Sequence, residues 1–149
     1  MIYFLKCKII LEGCKLKNVE IGREYKSVKI VKKEELADYV GSGDLEVFAT
    51  PMVIALMENA AANLVKNYLE EGFTTVGTRI SIGHINPTLE GVKTEARAKL
   101  LNFDGKKFSF QVEASDESGI IAKGEHERFI VNIEKFKEKA LKRKLKNKS

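Results

Sequence analysis

The stretch from Thr50 to Leu69 constrains the fold more than any other part of the chain. Apolar residues stand at Val53, Ile54, Leu56, Met57, Ala60, Ala61, Leu64, Val65, Tyr68 and Leu69, the three-and-four spacing of a helix. Thr50 is a good N-cap, Pro51 suits the first helical position and Gly72 closes the run, so a helix of about 20 residues is predicted. Its apolar positions cover much of the girth, where a surface helix needs a single stripe. Such a helix must be wrapped, and a curved sheet is the simplest wrapping.

Strand-like segments to build that sheet lie on both sides. Residues 26–32 read as a strand, and Glu34 to Val40 as a short helix ended by Gly41-Ser42-Gly43. Four more strands follow. Residues 75–86 hold Val76, Thr78, Ile80, Ile82 and His84 on one parity; residues 93–103 alternate Thr94, Ala96, Ala98 and Leu100 against Glu95, Arg97 and Lys99. Residues 107–115 put Phe108, Phe110, Val112 and Ala114 on one face, and residues 120–131 return after a turn at 116–119. Asp104-Gly105 is a tight hairpin signal. Two of the three links are too short for a crossover helix, so these four strands are expected to run as a meander. The predicted class is α+β, a hotdog fold with an antiparallel sheet wrapped around a long central helix. An open edge in such a sheet is expected to pair with a second copy, giving a homodimer. Residues 19–133 form the expected domain, residues 1–18 an N-terminal extension of unassigned role, and residues 134–149 a basic, solvated helix or tail.

Charge excludes less than it first suggests. The chain has 149 residues and a formal charge of +5. The tail from Glu134 holds eight of the 26 Lys/Arg and two of the 21 Asp/Glu, so the remainder is close to neutral. The basicity therefore belongs to the tail, and a nucleic-acid partner is not expected. No apolar run approaches the roughly 20 residues that span a bilayer, and Lys6 and Lys8 interrupt the apolar start. A cytoplasmic protein with no membrane partner is expected. Cys7 and Cys14 fit neither a redox pair nor a zinc knuckle and are expected to stay reduced. With no phosphate loop, dinucleotide fingerprint or metal-ligand cluster, no cofactor and no metal are expected.

Three polar residues interrupt the apolar patterns: Thr50, Glu58 and His84. Hydroxyl, carboxylate and imidazole are the usual parts for attack on an acyl group. Glu58 sits among Leu56, Met57, Ala60 and Ala61, which leave little polar stripe for a merely solvated carboxylate. His84 continues an apolar strand parity beside Gly83, where a ligand can approach the backbone. Thr50 is explained as a cap, yet free N–H groups at the same helix start would also stabilise an oxyanion. Thr50 and Glu58 are separated by eight residues, about 12 Å of regular helix. A shared site is therefore expected, Thr50 of one subunit facing Glu58 of the other. His126 reads as structural.

From about Val19 to Phe136 the chain resembles the fluoroacetyl-CoA thioesterase-like family of hotdog proteins. The resemblance rests on Val40-Gly41-Ser42-Gly43-Asp44-Leu45, Val47-Phe48-Ala49-Thr50-Pro51, Leu56-Met57-Glu58-Asn59-Ala60-Ala61, Thr75-Val76-Gly77-Thr78-Arg79, His84-Ile85-Asn86-Pro87-Thr88 and Gly124-Glu125-His126-Glu127-Arg128-Phe129, in that order and spacing. It implies hydrolysis of an acyl-CoA thioester to free acid and CoA. The family's catalytic Thr, Glu and His fall on Thr50, Glu58 and His84, and its glycine near the thioester carbonyl falls on Gly77. Glu58 would act as nucleophile or general base and His84 as acid/base. Phe48 is expected to line the acyl pocket, with Met52 and Tyr39 also able to set its size. Arg79 or Lys93 is expected to meet CoA phosphates. The phenylalanines that form the family's lid over the acyl group have no match, since Asp38–Leu45 offers only Tyr39. The alternative is a non-catalytic acyl-CoA-binding module on the same fold.

Overall fold

The computed structural model describes residues 10–11 and 14–148. Cys7 and most of the N-terminal extension lie outside these, while Cys14 is a free, buried thiol. The elements in chain order are β1 (Ile10–Leu11), β2 (Cys14–Lys15), β3 (Glu24–Ile30), a 3-10 turn (Lys33–Glu35), α1 (Ala37–Val40), α2 (Thr50–Lys66), β4 (Phe73–His84), β5 (Lys93–Phe103), β6 (Lys107–Asp116), β7 (Gly119–Asn132) and α3 (Ile133–Lys146). Among the described residues, strands β1 and β2 pair with each other, and the other five form one antiparallel sheet in the order β3-β5-β6-β7-β4.

That order corrects the expected meander. Strands β5, β6 and β7 do follow one another, but β4 lies beyond β7 at one edge and β3 closes the other side next to β5. The error lay in the link of residues 85–92, long enough to cross the ends of two strands without a helix. It is strapped down as it goes: Ile85 N–H donates to Ile121 O at 2.8 Å, Phe48 N–H to Thr88 O at 2.8 Å, and Gly91 N–H to Val31 O at 2.9 Å. Buried Thr88 donates its hydroxyl to Asp116 at 2.8 Å.

Helix α2 lies on one face of the sheet and touches all five strands. Val53, Leu56, Met57, Ala60, Ala61, Leu64 and Val65 are its buried face. They meet Ala96, Ala98 and Leu100 of β5 and Phe108, Phe110 and Val112 of β6 in a single core. Small residues on both surfaces let helix and sheet approach closely, and a hydrogen bond from Ser27 Oγ to Asn59 Oδ1 at 2.7 Å ties α2 to β3. The helix has 17 residues, fewer than expected. Beyond Lys66 the chain tightens into i→i−3 turns, with Tyr68 N–H on Val65 O and Leu69 N–H on Lys66 O, until Gly72 at φ 87° turns it into β4. Tyr68 and Leu69 thus keep apolar spacing without remaining α-helical. The basic α3 has no buried residue. Among the described residues, no helix is long and apolar enough to cross a membrane.

Candidate active site

The polar residues of interest gather in two groups. The first stands where α2 begins. Ala49, not Thr50, is the N-cap; no side chain caps this end, and Thr50 and Pro51 are the first two helical residues. The Thr50 hydroxyl is turned to the last residue of β4, its Oγ1 lying 2.8 Å from His84 Nδ1. His84 is held there by its register opposite Ala122 of β7. Its other ring nitrogen, Nε2, is shielded from solvent and has no hydrogen-bond partner among the described residues. Beside this pair opens a cavity of about 370 Å³ lined by Phe48, Thr50, Pro51, His84, Ile85 and Asn86, among others. The helix start offers fewer oxyanion donors than expected. Pro51 has no N–H, and both Met52 and Val53 donate theirs to Ala49 O.

The second group surrounds Glu58, eight residues further along α2. The Glu58 side chain is 38% exposed, and its Oε1 lies 3.5 Å from both Arg128 Nη1 and His126 Nε2. It also lies directly over Gly77, where an added Cβ would sit 2.1 Å from that oxygen. One chain therefore joins Thr50 to His84 and gives Glu58 different neighbours.

Gly77 reaches Glu58 through a break in register. Gly77 pairs with Arg128 but Arg79 pairs with Glu127, leaving Thr78 as an extra residue. This β-bulge reverses the side-chain parity of β4. The single parity expected from Val76 to His84 is therefore wrong in its first half. Gly77 opposes inward-facing Arg128, while Ile80, Ile82 and His84 face inward only beyond the bulge. A bulge between Ala114 and Ser115 does the same for β7. An unbroken hairpin from the turn at Asp116 would set Glu125 and Glu127 opposite Phe110 and Phe108. The bulge sets His126 and Arg128 there instead.

The structure thus brings beside Glu58 two residues that the sequence did not place there: His126, which reads as structural, and Arg128, to which the sequence assigns no role. Both are buried. Arg128 donates from Nε to Thr75 Oγ1 and from Nη2 to Thr75 O, each at 2.9 Å. His126 donates from Nδ1 to the carbonyl of Arg79 at 2.7 Å, and its ring stacks on Phe110 with centroids 5.9 Å apart. Burial holds the His126 pKa below its ordinary range, against the opposing pull of that carbonyl and of Glu58. Burial likewise lowers Arg128, with the Glu58 carboxylate opposing it. One sequence signal was available. Strand β6 has an unbroken apolar face, so the residues opposing it face the core, and two facing glutamates would have been the costlier assignment. The Arg79 side chain is exposed on edge strand β4, as is Lys93 at the start of β5.

Comparison with known proteins settles the family. Residues 31–134 match the family of fluoroacetyl-CoA-specific thioesterases. The chain belongs to this family. A fluoroacetyl-CoA thioesterase of Streptantibioticus cattleyicolor is 37% identical over 94 residues, covering 63% of this chain and 68% of that relative. A solved structure of the fluoroacetyl-CoA thioesterase superposes with a TM-score of 0.81 at 28% identity, over 85% of this chain and 98% of the other. A thioesterase superfamily member from Thermus thermophilus gives 0.74 at 28% identity, over 86% and 93%. A hot-dog-like protein from Thermanaerovibrio acidaminovorans gives 0.75 at 22% identity over 83% and 91%, a likeness of fold alone. As a member of the fluoroacetyl-CoA-specific thioesterase family, this chain is a thioesterase.

Proposed function

We propose that this thioesterase hydrolyses a small acyl-CoA at sites assembled from two copies of the chain, each with Thr50 and His84 from one subunit and Glu58 and Gly77 from the other. The observation that carries this reading is the carboxylate of Glu58, partly shielded, beside a buried guanidinium and over a glycine of the edge strand. Water and thioester would both have access there, and a carboxylate so placed can attack or deprotonate as well as balance the charge of the guanidinium.

The two-fold arrangement follows from the sheet. Among the described residues, strand β4 is at the edge of the sheet, with β7 as its one neighbour. An open edge of 12 residues favours pairing with its own copy. Antiparallel pairing of β4 with β4 sends the His84 end of one strand towards the Thr75–Gly77 half of the other, which is where Glu58 stands. The symmetry makes two equal sites.

At each site, water is the net acyl acceptor. Glu58 either attacks the carbonyl carbon, forming an anhydride that water opens, or removes a proton from the attacking water. In both routes the C–S bond breaks and the sulfur leaves with its electron pair. His84, oriented by Thr50, would deliver a proton to the CoA thiolate; its Nδ1 faces Thr50, while Nε2 carries no competing hydrogen bond among the described residues. Gly77 keeps the carboxylate and the thioester free of a side chain. Phe48 would form an apolar wall of the acyl cavity, and exposed Arg79 would meet CoA phosphates. Solved structures of the fluoroacetyl-specific enzyme hold fluoroacetate and CoA, or acetyl-CoA, which supports a CoA ester as the substrate. Selectivity for the fluoroacetyl group is not proposed. The segment Asp38–Leu45 has no phenylalanine, and its Tyr39 is 62% exposed.

Free-thiol release from a panel of acyl-CoAs, short to long and including aryl esters, tests the activity. Turnover of short acyl-CoAs is expected, in line with the fluoroacetate and acetyl-CoA held by the related enzyme, and tight binding without turnover on any ester would overturn the reading. The shared site has its own test. Thr50→Ala and Glu58→Ala homodimers, each inactive, are mixed under subunit exchange; about a quarter of wild-type activity should return, because each heterodimer holds one intact site. No recovery despite proven exchange would rule out sites shared across the dimer.

A further inference from the structure

The hydrogen-bond ledger of the Arg128 guanidinium closes on His126. Its Nε and Nη2 are committed to Thr75. The two hydrogens of Nη1 face two acceptors, His126 Nε2 at 3.3 Å and Glu58 Oε1 at 3.5 Å. His126 can be an acceptor there only as the neutral tautomer with its proton on Nδ1. The carbonyl of Arg79, 2.7 Å from Nδ1, demands that tautomer, because a carbonyl only accepts. The ring plane is set by Phe110. Burial favours the uncharged ring as well. The apparent ion pair between His126 and Glu58 at 3.5 Å is therefore not one. Two acceptors face each other, and the guanidinium donates to both.

From this geometry we infer that His126 is a positioning residue for hydrolysis: anchored to the bulge carbonyl of Arg79, it holds Nη1 of Arg128 where that group fixes the Glu58 carboxylate over Gly77. His126 itself touches no substrate. It links the bulge in edge strand β4, the strand proposed to meet the second subunit, to the carboxylate proposed to carry the chemistry. The inference rests on the proposed role of Glu58. A freely rotating Glu58, half exposed on a helix, would lose much of its effectiveness, since a misplacement of about 1 Å can cost on the order of 10²-fold in rate.

The two hydrogen bonds of His126 can be separated. Asn at this position keeps a donor near the place of Nδ1 but no acceptor for Arg128; Gln keeps an acceptor near the place of Nε2. The experiment measures kcat and KM of His126→Phe, His126→Asn and His126→Gln in the full-length protein on one acyl-CoA that the wild type turns over, with thermal unfolding of each. His126→Phe and His126→Asn are expected to lose roughly 10- to 100-fold in kcat with KM within about 3-fold, and His126→Gln to recover most of the loss. A folded His126→Phe with unchanged kcat would overturn the inference. If the Phe variant does not fold, equal losses in Asn and Gln would overturn it, whereas a clear advantage of Gln supports it. Glu58→Gln, assayed alongside, separates the two levels. An inactive Glu58→Gln with an unimpaired His126→Phe removes only the role of His126, and a fully active Glu58→Gln removes both.

Discussion

Replacing Glu58 with Gln is expected to lower kcat for thioester hydrolysis by roughly 10²- to 10⁴-fold, the range supplied by a positioned acid or base. The amide has the shape of the carboxylate but can neither attack a thioester carbonyl nor accept a proton from water. The packing should survive, because the side chain is 38% exposed and its Arg128 contact is at 3.5 Å, the outer limit of a hydrogen bond. Arg128 loses a counter-charge but keeps both bonds to Thr75, and the amide oxygen of Gln can still accept from its Nη1. Thermal unfolding of the variant should therefore stay close to wild type while thiol release collapses. Turnover within about 3-fold of wild type would remove Glu58 from the chemistry, since no other group replaces a lost catalytic base at that level.

The second large effect is expected at Gly77. A methyl group there would come within 2.1 Å of Glu58 Oε1, 3.2 Å of His126 Cε1 and 3.4 Å of Arg128 Nη1. The closest of these is the far end of a flexible side chain, which can swing away at little cost to the fold. Gly77→Ala should accordingly keep its stability, helped by the smaller conformational freedom of the unfolded chain, while displacing the carboxylate from its place. A kcat loss on the order of 10²-fold is expected. Gly124 provides the contrast. A Cβ at that position would lie 1.9 Å from the backbone carbonyl of Ser81 and 2.7 Å from Ile82 Cα, neither of which can swing aside. Gly124→Ala should therefore lower the melting temperature, whereas Gly77→Ala should lower the rate. A Gly77→Ala enzyme with normal kcat would show that Glu58 does not act from this position.

Much of the local structure could be read from the sequence because it depends on local chemistry. The apolar spacing from Val53 to Val65 marks α2, and its buried face is the expected one. Gly41, at φ 79°, ends α1 where the Gly41-Ser42-Gly43 run placed the break. Asp104 and Gly105 make the expected turn: Asp104 Oδ1 accepts from the N–H groups of Lys106 and Lys107 at 3.0 and 2.8 Å, which hold its carboxyl below the usual range. Thr50 stands at the expected helix end, but its hydroxyl does not make the capping bond. Capping propensity is a local tendency, and a tertiary neighbour, His84, takes the hydroxyl instead.

Pairing and parity lay beyond such reasoning. Link lengths could not say that β4 crosses to the far edge beside β7, because an extended link spans two strand ends as readily as it turns back. The bulges at Thr78 and near Ser115 each shift a register by one residue, which exchanges the two faces of a strand. No local propensity marks such a shift; it is set by which side chains the opposing sheet and helix can bury. The sequence alone therefore determined that the chain has a strongly apolar helix, an antiparallel partner sheet, and a hydroxyl, a carboxylate and an imidazole set beside their apolar residues. Only the tertiary structure decided which of these meet. It put Thr50 with His84, and set Glu58 over Gly77 beside His126 and Arg128, because burial is shared between elements and one residue of register moves a whole strand from one face to the other.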